Sequence, residues 1–550
     1  MALYTNLVVT GDMTFTGPIS GTGGLGCFSG GTMRLGGTLA NTYTGTTLVR
    51  CSLLEFNKTS GVQAFGGPLI VGGSTGGPYE ARWLQNYQHV NANVTLFANG
   101  LVNLNNNFED FGPLTFNGGS ITTGSGELGI YGLVTVNPAS TTATISGKLG
   151  LPSGFHEFRV ADGSSAPDLQ IAAAVLGPGH LQKTGPGQMG LSGPNTYGGL
   201  TQVIEGTLIA GNPTALGASG SGTIVSDGAT LAFNFPNGVV GETISARGSG
   251  VGGVNGALNV QGAVHLRNQF PAIYAALDLT TNATLRIETN AVLIADGFIS
   301  GIGPLIKTGR GTLVFSNANA NTYTGDTLVQ EGTLELRKPA NTLGVTSNLF
   351  IGPATAGSPA AMRWYQAGGM ATTAIATVNA NSLLDLNGNN QTLARLNLND
   401  GGEVQTGAGK LSFGSGGLVA VGSLSGSGSQ ASSSFSGAIG LPANEALNFA
   451  VSPYTLGALA VGPELDVSAL IPAPAENVNF ERAGIYKTGS GQLGLSGNNT
   501  FNGRADVAAG EDEATEDHTE KNDNADDGEH ALPRATDYCA CRHLSMPDTA

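Results

Sequence analysis

Apolar and polar positions alternate along this chain in short runs, most clearly between Leu305 and Leu336. Runs of β-branched and apolar residues are separated there by glycine pairs and by the corner Asn321-Thr-Tyr-Thr-Gly325, a pattern that predicts strand, turn and strand. Side chains of a strand point to opposite faces in turn. Leu313, Phe315, Leu334 and Leu336 are therefore expected on one face, and Thr312, Thr333, Glu335 and Arg337 on the other. The same alternation predicts strands at Val94–Phe97, Leu101–Leu104, Leu114–Phe116, Leu133–Val136, Thr230–Phe233, Ala257–Val260 and Thr284–Glu288. Ala272–Leu279, just after Pro271, is expected to form one or two helical turns.

One such unit cannot bury its apolar face alone, and the chain repeats it. Asn41-Thr-Tyr-Thr-Gly45 and Thr47-Leu-Val49 match Asn321–Gly325 and Thr327–Val329 without a gap. Leu181-Gln-Lys-Thr-Gly-Pro-Gly187, Asn195-Thr-Tyr-Gly-Gly199 and Glu205-Gly-Thr-Leu208 form another copy, and Ile485-Tyr-Lys-Thr-Gly-Ser-Gly491 with Asn499-Thr-Phe-Asn-Gly503 a fourth. A longer echo surrounds them: Arg82-Trp83-Leu-Gln85 with Arg363-Trp364-Tyr-Gln366, Asn103-Leu-Asn105 with Asp385-Leu-Asn387, and Ser146-Gly-Lys-Leu-Gly-Leu-Pro152 with Ser436-Gly-Ala-Ile-Gly-Leu-Pro442. The expected organisation is opening strands at 1–18, module A at 19–190, a shorter module at 191–298, module B (a duplicate of A) at 299–503 and an acidic tail at 504–550. Stacked architectures permit such duplication because each unit touches only its neighbours.

Lys-Thr-Gly-x-Gly-x-Leu-x-Leu-Ser-Gly, followed by Asn-Thr-Tyr/Phe-x-Gly and Glu-Gly-Thr-Leu, resembles the autotransporter-associated β-strand repeat of bacterial surface proteins. The match is specific at 177–217, 299–344 and 484–503; at 19–56 Cys27-Phe-Ser stands in place of Lys-Thr-Gly. The resemblance implies a secreted or cell-surface passenger region folded as a right-handed parallel β-helix.

Composition agrees with many corners and few helices. The 550 residues include 87 glycines, each costing roughly 0.5–1 kcal/mol relative to Ala in mid-strand, so most are expected at turns. With rungs of roughly 20–25 residues, about 20 rungs would stack into a rod at about 4.8 Å per rung. Like side chains would then align as ladders, asparagines included. Cys27 and Cys51 are the only cysteines before the tail, too few for a disulfide framework and in no zinc spacing. The N-terminus Met-Ala-Leu-Tyr-Thr-Asn-Leu-Val-Val reads as a strand and lacks a signal peptide's basic start and apolar run. No run of 18 apolar residues is present to span a membrane as a helix. A net charge of −16 argues against nucleic acid and anionic membrane surfaces. From Arg504 onward there are 13 acidic and 4 basic residues, a net −9, and apolar patterning vanishes. That stretch is expected to be disordered, and its onset within a repeat suggests a shifted or fused reading frame. Its Cys539-Ala-Cys541-Arg-His543 cluster is read as incidental.

Motifs that resemble chemistry lack their context. Gly-x-Gly-x-x-Gly occurs at Gly21–Gly26, Gly124–Gly129, Gly185–Gly190, Gly248–Gly253 and Gly489–Gly494, but no helix is expected to follow and hold a phosphate. Gly72-Gly-Ser74-Thr-Gly76 matches a nucleophile elbow, and its duplicate carries Ala354 at the serine position. Glycosidases need two carboxylates about 5–10 Å apart. Outside the tail 26 acids are scattered, Glu109-Asp110 being the sole adjacent pair, and His89, His156, His180 and His265 do not recur between copies. No catalytic residue, metal ligand or cofactor is assigned. The candidate ligand-binding residues are Arg82, Trp83, Arg363 and Trp364, which with Tyr87 and Tyr365 would form exposed aromatic platforms. The competing expectation, favoured because large aromatics are mostly buried, is that the two tryptophans fill a wide rung.

The reading is an all-β, right-handed parallel β-helix (β-solenoid), a single elongated rod with a disordered acidic tail. It would serve as a non-catalytic passenger, spacer or adhesin, at the cell surface or secreted, with glycans or cell-surface proteins as partners. A β-helical polysaccharide lyase or hydrolase is the competing class; a truncated gene product without function is the third.

Overall fold

A computed structural model describes the chain except residues 4, 268–275, 354–357, 423–430, 443–444, 454–462, 473–483, 502–503 and 509–550. It divides into two compact units, Met1–Thr346 and Ser347–Ala550. Both are parallel β-solenoids, with about 21 turns between them and no α-helix among the described residues. A single 3-10 turn at Val251–Gly253 interrupts the strands.

The alternation that predicts strands also predicts which side is buried. Leu313, Phe315 and Leu334 are fully buried and Leu336 nearly so, while Thr312, Thr333 and Glu335 are half-buried and Arg337 is exposed. Val314 departs from the pattern: it has outward parity and is covered as well. Successive turns stack in parallel register. In the first unit Leu305 pairs with Thr327 and Lys307 with Val329; on another face Thr312 pairs with Thr333 and Phe315 with Leu336. Each inward side chain thus rests on its counterpart one turn later, shielding that turn's apolar side.

The second unit is built the same way. Leu349–Ile351, Ile375–Val378, Gln391–Asn399, Leu411–Gly422, Ala446–Val451 and Gly484–Thr488 pair in succession along one face. Ala360–Trp364, Ser382–Asp385, Glu403–Gln405, Ser433–Ser436, Leu465–Val467 and Leu493–Leu495 do so along another. The expected amide ladders are present: Asn137 Nδ2 donates to Asn117 Oδ1 at 2.9 Å, Asn399 Nδ2 to Asn379 Oδ1 at 3.0 Å and Gln182 Nε2 to Gln202 Oε1 at 2.9 Å.

Two expectations are corrected. The helical turn expected over Ala272–Leu279 does not extend to Leu277–Leu279, which is a strand paired with Ile244–Ala246 and Ile299–Gly301; residues 272–275 lie outside the described residues. Leu277 and Leu279 are both buried, so period-2 burial prevails over local helix preference. The tail also begins later than Arg504. Ala505–Val507 is a strand pairing with Ile485–Lys487, because Ala505-Asp-Val507 occupies the place that Thr327-Leu-Val329 fills after its own Asn-Thr-Tyr corner. The disorder expected further on, and the Cys539/Cys541/His543 cluster, lie outside the described residues.

Cys27 and Cys51 form a disulfide between adjacent turns, closing a separation of 24 residues, and both are buried. In Cys27→Ala/Cys51→Ala, loss of a loop of that size should cost about 3 kcal/mol. Faster hydrogen exchange should be confined to Leu25–Lys58 and its neighbouring turns, as peptide-resolved exchange would measure.

Candidate functional site

The repeat corner is a buried polar structure that recurs between copies. Leu305 and Lys307 share a face, so the lysine of Lys-Thr-Gly points inward and is fully buried. Its Nζ donates to the carbonyls of Thr308 at 3.2 Å, Gly309 at 2.5 Å and, one turn on, Glu331 at 2.7 Å. Lys183 repeats this with Thr184, Gly185 and Glu205 at 3.1, 2.6 and 2.9 Å. An ammonium has three protons and no acceptor, and three carbonyls left over at a tight corner match it. The glycine of Glu-Gly-Thr-Leu makes the approach possible: Gly332 has φ +71°, and a Cβ there would lie 2.7 Å from Lys307 Nζ.

In the first copy the lysine position is Cys27, which pairs with Val49 as Lys307 pairs with Val329. The position of Glu331 is Cys51. The disulfide therefore joins the two places that the lysine clamp joins elsewhere. A second internal lysine is shared: Lys338 Nζ donates to Gly297, Ser316 and Asn319 carbonyls, and its counterpart Lys58 donates to Gly36 at 2.8 Å.

Beside the clamp, the asparagine of Asn-Thr-Tyr joins three turns. Asn321 Oδ1 accepts from Ile299 N at 3.0 Å and Nδ2 donates to Gly344 O at 2.7 Å. Asn41 and Asn195 do the same between Ile19 and Ala64 and between Val175 and Ala215. The buried tyrosines 43, 197 and 323 each hydrogen-bond a threonine four residues on at 2.6 Å. In the fourth copy both partners change together, to Phe501 and Ala505, so neither is left buried and unmatched.

The sequence-derived candidates separate by face. Trp83 and Trp364 are buried, so neither is an exposed platform, and the rung-filling expectation describes them. Trp83 packs against Phe56, with ring centroids 4.7 Å apart, and Phe111 at 5.9 Å. Its Nε1 donates to Glu109 Oε2 at 2.8 Å, which also accepts from Gln88 N and His89 N. Burial pushes the Glu109 carboxyl up to about 7. At the matching place in the second unit Gln391 accepts from Met370 N and donates to Met370 O, and Trp364 Nε1 has no partner among the described residues. Arg82 and Arg363 lie on the outside. Arg82 is bound to Glu80 at 2.8 Å and lies 4.0 Å from Glu55, and Arg363 is bound to Asp385 at 2.7 Å. Tyr365 is half-buried, whereas Tyr87 is exposed.

The apparent catalytic motifs have no matching geometry. Glu109 faces inward and Asp110 outward, so the adjacent acids sit on opposite faces. Four of the five Gly-x-Gly-x-x-Gly matches run into or end in strands, Leu25–Gly37, Leu128–Ile130, Gln188–Leu191 and Leu493–Leu495, and the fifth ends in the 3-10 turn. Ser74 lies in the bend between strands Leu69–Val71 and Tyr79–Trp83, and Ala354 lies outside the described residues. Among the described residues no three His, Cys, Asp or Glu groups gather as metal ligands, and no helix is long and apolar enough to cross a membrane.

The family described as passenger-associated-transport-repeat matches residues 181–210, 305–336 and 485–511, each beginning within the strand that carries the lysine, so this β-solenoid carries that repeat three times. The third match continues through Ala505–Val507. The chain is also similar to the adhesin BmaC autotransporter of Brucella suis biovar 1 (strain 1330), with 28% identity over 240 residues, 40% of this chain and 6% of the adhesin. It therefore spans a small fraction of that relative's length.

Two outcomes follow from the corner. Tyr323→Phe and Thr327→Ala each remove one half of a buried hydrogen bond and should each cost about 1–2 kcal/mol. The double variant should cost clearly less than their sum, since Phe501/Ala505 is a natural version of it; a double-mutant cycle by chemical denaturation measures this.

Glu109 and Glu242, both raised to about 7 by burial, hold a proton in the folded chain that the unfolded chain has lost. Their contribution is full below about pH 4.5 and is lost as pH rises through about 7. Burial lowers Lys307 to about 7 and Lys183 and Lys338 to about 8, so their effect has the opposite sign and stability rises with pH from about 7 towards 10.5. Glu109→Gln should raise Tm at pH 8 relative to wild type and leave it little changed at pH 5.

Proposed function

We propose that this chain is part of a passenger region, exposed at the cell surface or secreted, which acts as a non-catalytic spacer that also adheres. The passenger-associated repeats at the corners of a solenoid, together with the likeness to an autotransporter adhesin, support this reading most strongly. The Cys27–Cys51 disulfide favours an oxidising compartment. Lysine clamps, turn-joining asparagines and stacked apolar residues hold the interior together and leave the outer side chains free to vary. Arginine–carboxylate pairs such as Arg34–Glu55 and Arg363–Asp385 run across neighbouring turns on that outer surface. Its partners would be glycans or proteins of another cell's surface.

Beads coated with the full chain should adhere to cultured cells well above albumin-coated beads, and soluble chain should compete them off. Adhesion at the albumin level would overturn the adhesive part of this reading. Turnover of any member of a polysaccharide panel would overturn the non-catalytic part.

A further inference from the structure

One outer patch of the first unit is not explained by the repeat. Tyr87, Phe108 and Tyr131 are 41%, 43% and 56% exposed. They occupy neighbouring turns with Asp110 and Glu127. Tyr87 N bonds Phe108 O at 2.8 Å, Glu109 N bonds Glu127 O at 3.1 Å, and Tyr131 N bonds Phe111 O at 2.8 Å. Gly129 provides the space between them: a Cβ there would lie 2.3 Å from Asp110 Oδ1 and 3.2 Å from the edge of the Tyr131 ring. Asp110 and Glu127 form no ion pair among the described residues, unlike the carboxylates of Glu55, Glu80 and Asp385. Partial burial and the fields of Asp110, Glu109 and Glu127 raise the Tyr87 hydroxyl above its ordinary range.

The second unit supplies an internal control. Gly368 N bonds Asn390 O at 3.1 Å and Gln391 N bonds Lys410 O at 3.1 Å, the same two bonds made by Tyr87 and Glu109. These bonds and the strand register place Gly368, Asn390, Thr392, Lys410 and Gly414 where the first unit has Tyr87, Phe108, Asp110, Glu127 and Tyr131. The tryptophan and the amide-binding side chain behind this surface are kept or replaced by a neutral analogue, while all three rings and both carboxylates in front of it are gone. The fold therefore does not require the patch.

We propose that Tyr87, Phe108, Asp110, Glu127 and Tyr131 form a docking surface for an exposed arginine- or lysine-bearing segment of a partner protein. Ring faces and unpaired carboxylates both attract cations. The five side chains offer acceptors and π-faces with no cationic donor, which suits a guanidinium or ammonium better than the mixed donors and acceptors of sugar hydroxyls. This deepens the adhesive reading and rests on it only for the biological setting.

The test is calorimetry of the full chain with a hexa-arginine peptide near physiological salt. Tyr131→Gly changes no charge and should weaken binding about 2- to 5-fold through loss of one cation–π contact. Asp110→Thr/Glu127→Lys, which installs the residues of the second unit, should weaken it about 10-fold or more. If the double variant loses its β-sheet circular dichroism, Glu127→Lys alone replaces it, with a smaller loss expected. No binding by wild type overturns the proposal, as does binding indifferent to these substitutions, which would place the peptide on the acidic stretch after Arg504. Tyr131-dependent binding of maltohexaose without binding of the peptide would also overturn it. Cell adhesion without peptide binding would sink only the patch; peptide binding without cell adhesion would sink only the adhesive reading.

Discussion

At the Lys-Thr-Gly corners backbone carbonyls of two successive turns point inward, and buried carbonyls must find donors. The clamp beneath the Lys-Thr-Gly corner meets that constraint. Lys183 and Lys307 each satisfy three carbonyls on two turns with one side chain, and a Cβ at 206 or 332 would lie 2.5 Å from carbonyl oxygens of the preceding turn, which dictates glycine there. An apolar side chain in the same place would leave the acceptors unmatched, at about 1–3 kcal/mol each. The ammonium is itself costly to bury, which is why its proton affinity falls, but a full set of acceptors offsets much of that cost. Where the chain has Cys27 and Cys51 at these two places, a covalent bond ties the same pair of turns. Two unrelated chemistries at one site indicate that joining the turns is what the position requires.

The corner also shows how a repeat changes without losing stability. Tyr and Thr in three copies become Phe and Ala in the fourth, a joint replacement that removes donor and acceptor together. Glu109 and Gln391 make a similar pair: both accept from the backbone amide of the preceding turn, one as a carboxyl whose ionisation burial disfavours, the other as a neutral amide. The amide avoids the pH dependence but leaves the indole behind it, Trp364, without the acceptor that Trp83 has. Each solution satisfies part of the same set of buried groups.

Much of the architecture was legible because strand period and the repeated corner are both written in the sequence. Alternating Leu, Phe and Thr marked the inward face, and the repeated Asn-Thr-Tyr corner marked the copies of the unit. The inward lysines were missed because a charged side chain is ordinarily assigned to solvent; the signal was parity, since Lys307 stands two residues from Leu305 on the same face. The disulfide was missed for a related reason. Two cysteines give no framework pattern, yet aligning Cys27 with Lys307 and Cys51 with Glu331 brings them to places known to meet. Ala505–Val507 has the composition of the tail but the position of a repeat strand, and position prevails. The exposed cluster around Tyr131 was illegible, since its members come from three turns and only the stacking brings them together.

The interior and the exterior of this protein obey different constraints, and the comparison of its two units separates them. Inside, the Tyr–Thr pair becomes Phe–Ala as a matched set, while Glu109 to Gln391 is matched at the backbone amide and not at the indole. Outside, Tyr131 can face Gly414 in the comparison, and Glu127 can face Lys410, with the hydrogen bonds of the turn unchanged. A parallel stack confers this independence: its cohesion resides in backbone pairing and inward side chains, so outward residues such as those at Tyr131 and Glu127 are released from the work of folding. Recognition can then be altered on one turn without disturbing the next, which is the physical reason a repetitive scaffold suits a surface whose partners vary.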